Sequence, residues 1–362
     1  MLSALLRVIP PPAFMTMPCV GLDISDTSLK YVAFKPTLRN QHMRELTVWG
    51  DIDIPSGVLN RGEVLDPAKL VAVLKEFKEK TKAEFIRVSL PEERAYMFET
   101  EIKTNTPLKE IRGLLEFRLE ENVPIPSRDV FFDYSIMPFA QGDRELNISV
   151  VAYAKQTILS YYDACIEAGL RPISFEVEAQ AMARAMVPEH SSGAALIVDF
   201  GKTRTGLGIV YKGALLYTST VDIGGAQLSQ VLRKTLGDKT EAELTLIKNT
   251  EGLVRGVDSS AVREALIPTV SVIRDEIATR MQYWHLRSGN QEERRINSII
   301  LCGGSANLKG FPEYMTETLG VPTVRGNVWE NVLSLEDTVP PIDRRHSFGY
   351  AAAIGLALKS IL

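Results

Sequence analysis

"VGLDISDTSLKYVAF" (residues 20–34) reads as two short strands joined by a polar turn. Val20, Leu22 and Ile24 alternate with Gly21 and Asp23, the period-two pattern of a strand. A plain hairpin has no need of a carboxylate at the end of its first strand. A second stretch, "LIVDFGKTRTGLGIV" (residues 196–210), repeats the design: Asp199 matches Asp23 and Thr203 matches Thr27 at the same offset. Such a repeat is a duplication signal, although direct identity between the copies is slight. Two hairpins of this kind, one per half of a molecule, can face each other across a cleft. Small or hydroxyl residues at their turns let backbone N–H groups approach phosphate oxygens. The two Asp side chains can then hold Mg²⁺ through water, because Mg²⁺ keeps much of its hydration shell. Taken singly, an Asp at a strand end is more often a turn former or a cap.

A third element sharpens the pattern. "IILCGGSANLKGFPEYM" (residues 299–315) reads as a buried strand, then Gly303-Gly304-Ser305, then a helix. The glycine pair lets the backbone pass close to a flat ring or a ribose, and a helix N-terminus adds polar N–H groups. By itself this is also an ordinary tight turn. The order hairpin, hairpin, strand-Gly-Gly-helix is far more specific than any of its parts. No GxxxxGK[ST] loop occurs, and "GLG" at 206–208 lies inside a strand rather than opening a helix.

The remaining features set bounds. The chain has 362 residues, 45% hydrophobic and 24% charged, which suggests two or three ordinary globular domains. A net charge of −4 without a strongly basic block gives no support to nucleic-acid binding. Cys19, Cys165 and Cys302 are far apart and show no metal-ligand spacing, which fits free thiols in a reducing compartment. No run reaches the ~18 to 20 apolar residues of a membrane span. Residues 1–16 read as a disordered extension broken by Pro10 to Pro12, with a weak membrane-surface or partner-binding segment as the alternative.

Strands are expected at 18–24, 28–34, 45–54 and 84–90, with an amphipathic helix at 67–80 capped by Asp66 and opened by Pro67. Residues 96–169 form a strand-helix-strand-strand-helix block with the character of an inserted domain. "PISFEVEAQAMARAMV" (172–187) runs from strand into helix. Three consecutive strands follow from 194. Residues 224–288 are mainly helical and end in a long helix beginning near Pro268. A small-residue-rich helix closes the chain. The alternation argues an α/β fold.

On the two Asp hairpins and the strand-GGSA element, the sequence resembles the actin-like ATPase superfamily. "RVSLPEERAYMFETEI", "EIRGLLEFRLEENVPIPSRDVFFDYSIM", "VVAYAKQTILSYYDACIEAGLRPISFEVEAQAMARAM" and "DIGGAQLSQVL" narrow it to the PilM family of type IV pilus assembly, from about residue 18 to the end. Phe117, Glu120, Pro124 and Asp133-Tyr134 carry the most specific phrase. The resemblance implies two actin-like lobes around a nucleotide cleft and an inserted SHS2-type domain. Its boundaries would be 17–95 and 170–192 for the first lobe, 96–169 for the insert, 193–340 for the second lobe, and 341–362 for a helix returning to the first. It implies ATP with Mg²⁺, and slow or no hydrolysis. Asp23 and Asp199 would organise the metal's water shell. Ser25, Thr27, Ser28, Lys30, Gly201, Lys202 and Thr203 would meet phosphates. Gly303, Gly304 and Ser305 would meet ribose and adenine, with Asn307 and Glu276 also in the nucleotide set. The implied partner is the cytoplasmic tail of a PilN-type membrane protein, held near the insert, with the pilus motor ATPases as further partners. The implied place is the cytoplasmic face of the inner membrane, reached through the partner.

Departures from the family pattern matter. The first motif usually reads D-I-G-T-S/T-S-x-K; here Ser25 replaces the glycine and Asp26 puts a carboxylate where a hydroxyl approaches phosphate. Like charges at short range are costly in a dry cleft, so Asp26 points away, or is offset by Mg²⁺, or weakens triphosphate binding. Lys202 is a compensating phosphate contact or an exposed turn lysine. Glu276 and Arg280 are a surface ion pair or a ribose or base contact. Glu178 is a dipole-stabilised acid at a helix N-terminus or a water activator; Glu176 lies beside it.

Three other readings compete. An FtsA-like division protein would carry an amphipathic tail after a linker, whereas this sequence ends in "AIGLALKSIL". A sugar kinase needs a general base beside a sugar pocket, and no motif for one is present. A type II secretion cytoplasmic scaffold would continue into a membrane span.

Overall fold

In the computed structural model, which describes residues 19–35, 45–137, 145–188, 191, 193–254, 260–288 and 292–359, two three-strand meanders open two sheets of one topology. The reading of residues 1–16 lies outside the described residues. β1 (Cys19–Ile24), β2 (Ser28–Phe34) and β3 (Leu46–Asp53) are antiparallel neighbours. A small ribbon, β4 (Leu59–Asn60) and β5 (Glu63–Val64), leads to helix α1 (Pro67–Thr81). Asp66 caps α1 by accepting from the Lys69 amide at 3.1 Å, and Pro67 occupies its first turn. β6 (Phe85–Leu90) then lies parallel to β1.

β7 (Tyr96–Lys103), α2 (Leu108–Asn122), β8 (Val130–Ile136) and β9 (Glu145–Ala154) make a separate three-stranded sheet of order β7-β9-β8. It closes over its own core, where Ile111, Leu115 and Leu119 of α2 meet Phe98, Ile148 and Val150. Helix α3 (Lys155–Glu167), expected to belong to this block, buries Tyr161, Ala164 and Cys165 in the core of the first lobe instead. By packing, the insert proper ends with β9. β10 (Arg171–Val177) completes the first sheet beside β6, and α4 (Glu178–Met186) follows directly.

The second lobe repeats the scheme. β11 (Ala194–Phe200), β12 (Thr205–Tyr211) and β13 (Ala214–Val221) form the meander. After α5 (Gly225–Leu236), α6 (Glu241–Thr250) and α7 (Ser260–Arg287), β14 (Ile296–Cys302) lies parallel to β11. α8 (Phe311–Leu319) leads to β15 (Thr323–Arg325), parallel to β14. The long helix begins at Ser260 rather than near Pro268, so Pro268 lies inside it. An interior proline removes a hydrogen bond and costs ~3 kcal/mol. Burial of Val262, Leu266, Val270, Ile273, Ile277, Met281 and Trp284 along one face holds the helix through it.

The C-terminal segment is not one helix but α9 (Arg344–Ser347), a single 3₁₀ turn and α10 (Ala351–Leu358). α10 packs on β1, β2, β6 and α4. Its crossing with α4 is close: a Cβ on Gly355 would lie 1.7 Å from the Ala181 carbonyl oxygen. α4 also faces β12 and β13, so one continuous core joins the lobes beneath the cleft. The three cysteines are free, two of them buried. Among the described residues no helix is long and apolar enough to cross a membrane.

Candidate functional site

The parallel pairing of β1 with β6 and of β11 with β14 brings the two hairpin turns to one cavity of about 640 Å³. Its walls carry Asp23, Ser25, Thr27, Ser28 and Lys30 from the first hairpin, and Asp199, Gly201, Lys202 and Thr203 from the second. Gly303, Gly304 and Asn307 line its other end.

The first turn is closed from within. The Ser25 amide and hydroxyl both donate to the Ser28 carbonyl at 2.9 Å, and the Ser28 amide donates to Ser25 Oγ at 3.2 Å. Serine in the usual glycine position therefore adds bonds to the turn, without a left-handed backbone at that residue. Lys30 Nζ donates to Ser28 Oγ at 2.6 Å. Asp23 is buried and accepts from Ser89 Oγ at 2.8 Å, while the same oxygen accepts from the Ile24 amide at 3.1 Å. Burial pushes the Asp23 carboxyl up, and Lys30, Ser89 and Arg204 oppose that.

The second turn is held from outside. Gly201 and Lys202 give their carbonyls to the Gly225 and Ala226 amides at 3.0 and 2.8 Å, so the N-terminus of α5 grips the turn. Asp199 is pushed up to about 6 by burial and then by Asp23 across the cleft. Gly303 has φ +83°, and a Cβ there would lie 2.2 Å from Asp199 Oδ1. Only glycine allows the third motif to seat against the second aspartate.

Asp26 is paired rather than left facing phosphates alone. It accepts from the Arg61 and Gly62 amides at 3.0 and 3.2 Å, and from the Arg204 guanidinium at 3.0 and 3.4 Å. Arg204 also pairs with Glu93. Arg204 stands one residue beyond the expected phosphate contacts in "GKTRT", and its charge next to that motif was the available signal. Glu178 opens α4 and lines the cavity, and its buried Oε1 has no hydrogen-bond partner among the described residues. Burial, then Asp23 and Glu92, push Glu178 well above the usual carboxylate range. Glu176 instead pairs with Arg184 at 2.5 Å.

Two residues and one element lie elsewhere than expected. Glu276 is absent from the cavity wall; it pairs with Arg280 at 2.5 Å, and Arg280 reaches Ser219 on β13. α6 supplies that wall instead, through Ala242, Thr245, Leu246 and Asn249, which no motif marks. Ser305 is also off the wall and donates to the Gly201 carbonyl at 2.9 Å, tying the third motif to the second turn. The element after Gly303 is a four-residue 3₁₀ turn, Gly304–Asn307, not an α-helix, so it has no developed N-terminal dipole. Arg345 and His346 from α9 complete this end.

The donor set fits Mg²⁺. Two aspartates face each other with further buried carboxylates, Glu92 and Glu178, close by, and burial raises all four above their ordinary values. A cation beside Asp23 and Asp199 would favour their charged forms and lower both values. Among the described residues no three His, Cys, Asp or Glu side chains form a full ligand cluster. A Mg²⁺ ion there would be held by few carboxylates and would keep most of its water.

The sequence profile described as type IV pilus assembly protein PilM matches residues 21–361. The chain belongs to the PilM family. The fold is similar to that in a PilM–PilN type IV pilus biogenesis complex, with TM-score 0.75 and 22% identity over 95% of this chain and 98% of that one. It is also similar to ethanolamine utilization protein EutJ from Carboxydothermus hydrogenoformans, with TM-score 0.52 and 18% identity over 97% and 90%. MreB5 of Spiroplasma citri bound to ADP gives TM-score 0.51 and 14% identity over 86% and 92%. These likenesses make the fold of this PilM-family chain the actin-like α/β fold, with two lobes around the cavity.

Proposed function

We propose that this chain is an ATP-binding scaffold of type IV pilus assembly that takes the cytoplasmic tail of a PilN-type membrane protein. Family membership over nearly the whole chain carries the reading. The convergence of both Asp hairpins with Gly303-Gly304 on one cavity supports the nucleotide, as does the ADP-bound relative of the same fold. Asp23 and Asp199 would hold the hydrated Mg²⁺. Gly201, Lys202 and Thr203 would clasp phosphates with Ser25, Thr27, Ser28 and Lys30. Gly303, Gly304 and Asn307 would meet ribose and adenine beside α6.

The tail would dock on an apolar stripe at the junction of insert and first lobe. Leu159, Tyr162 and Ile166 recur on the exposed face of α3, at 40%, 41% and 46% exposure, too much for a buried core face. Phe131 of β8 lies at the start of that helix, under Lys155. Binding there would place the chain at the cytoplasmic face of the inner membrane.

Calorimetric titration with Mg-ATP, and then with a PilN-type N-terminal peptide, tests both halves. Binding of both is the expected result, with peptide binding lost in Tyr162→Asp. Peptide without ATP would make the chain a pure adaptor. ATP without peptide would remove the pilus role.

A further inference from the structure

Arg204 occupies a singular position. It lies on the turn of the second hairpin, yet its guanidinium crosses to the first hairpin and pairs with Asp26 at 3.0 Å. It also pairs with Glu93 from the 3₁₀ turn, Glu92–Arg94, that follows β6. Arg204, Asp26 and Glu93 side chains are 15%, 13% and 15% exposed, so these charges are little screened. One cation thus serves two carboxylates. Asp26 and Arg204 both line the cavity that holds Asp23, Asp199 and Lys202. Asp26 is fixed from behind by the Arg61 and Gly62 amides, so the carboxylate cannot follow if the arginine turns away.

We propose that Arg204 is a specificity-determining residue for the terminal phosphate, and that Asp26 is its tuning partner. This rests on the nucleotide reading above. The guanidinium presents five donors in a planar fork, enough to serve a carboxylate and a phosphate oxygen together. A triphosphate whose last phosphate reaches the hairpin turns competes with Asp26 for Arg204. A diphosphate, one group shorter, competes less. The Asp26–Arg204 pair therefore sets how strongly the cleft distinguishes the two nucleotides. Asp26 lowers the preference for triphosphate, and Arg204 raises it.

The test is calorimetric measurement of Mg-ATP and Mg-ADP affinity for the full chain and three variants. Asp26→Asn removes the competing charge and keeps an acceptor for one of the two amides, losing the bond to the other. It is expected to raise the ATP-to-ADP affinity ratio, on the order of tenfold for one charge-assisted contact. Arg204→Gln is expected to lower it similarly. Asp222→Asn removes a different interlobe ion pair, the one made with Arg61, and is expected to leave the ratio unchanged. Thermal melting of each variant confirms that it folds. If Asp26→Asn leaves the ratio at the wild-type value, the pair is only an interlobe tie and the proposal falls alone. The same holds if Asp222→Asn moves the ratio equally, since lobe closure would then be the cause. If the wild-type chain binds neither nucleotide, the proposal falls together with the nucleotide reading.

Discussion

The two hairpins share strand order, register, an aspartate near the strand end and the backbone bond that closes the turn, but their side-chain bracing differs. The first is stabilised by its own turn, through Ser25 and Ser28, and by a neighbouring strand of its own sheet, through Ser89. The second keeps the equivalent backbone bond, from the Gly201 amide to the Arg204 carbonyl at 3.0 Å. It depends on the N-terminus of α5 and on Ser305 from the third motif. A duplicated element can thus keep its chemistry while its supports diverge. Only the carboxylate and the strand end are constrained by what sits between the lobes, and the turn can be braced by whatever packs next to it.

Breaking the shared chemistry is expected to have the largest effect. Asp199→Ala should abolish Mg²⁺-dependent ATP binding while the fold is retained, read by calorimetry and thermal melting. Unchanged affinity in a folded variant would remove the metal role from Asp199 and make the two hairpins unequal in function.

The carboxylates behind the hairpins give the next test. Burial, and then Asp199, hold the Glu92 carboxyl well above its ordinary value of 4.5. The folded chain therefore keeps a proton that the unfolded chain releases, and stability is lost as pH climbs above 4.5. Glu92→Gln removes this penalty. Its melting temperature should exceed that of the wild type by more at pH 8 than at pH 5. A constant gap would show that Glu92 is not held as the acid.

Supports should separate the hairpins more finely. Ser305→Ala removes a single hydrogen bond, worth about 0.5–1.5 kcal/mol, but the bond anchors the second hairpin turn, so under the proposed phosphate role ATP affinity should fall with stability. Ser25→Gly removes turn bonds that stay within the first hairpin. It should cost a similar ~1 kcal/mol of stability with a smaller change in ATP affinity. Equal affinity losses would show that internal and external bracing are equivalent.

The smallest effect is expected at Glu276. Its pair with Arg280 is half exposed at the glutamate and lies off the cavity, so Glu276→Ala should change stability by less than about 0.5 kcal/mol and ATP affinity not at all.

How much of this was legible in the sequence follows from range. Asp23 and Asp199 declare themselves because strand alternation and the repeated turn are local patterns. The cap at Asp66 and the insert's strands are local too. Arg204 escaped because its meaning lies in Asp26, on the other hairpin, and no spacing rule connects two lobes. The α6 wall escaped because its residues are ordinary on an ordinary helix; only the fold brings them to the cavity. Of the two readings of Glu276, the ion pair with Arg280 is the local one, whereas a nucleotide contact depends on rotation about the helix axis, which packing sets. Here Val270, Ile273 and Ile277 take the buried side. Pro268 misled for a related reason: a proline rule is local, and the buried face of a long helix outweighs it.

The crossing of Gly355 over the Ala181 carbonyl leaves no room for a methyl group. α10 rests on β1, β2 and β6, whereas α4 touches the first sheet and also β12 and β13. A side chain added at Gly355 would therefore press on the one helix that both sheets share, at a point that no cavity residue marks.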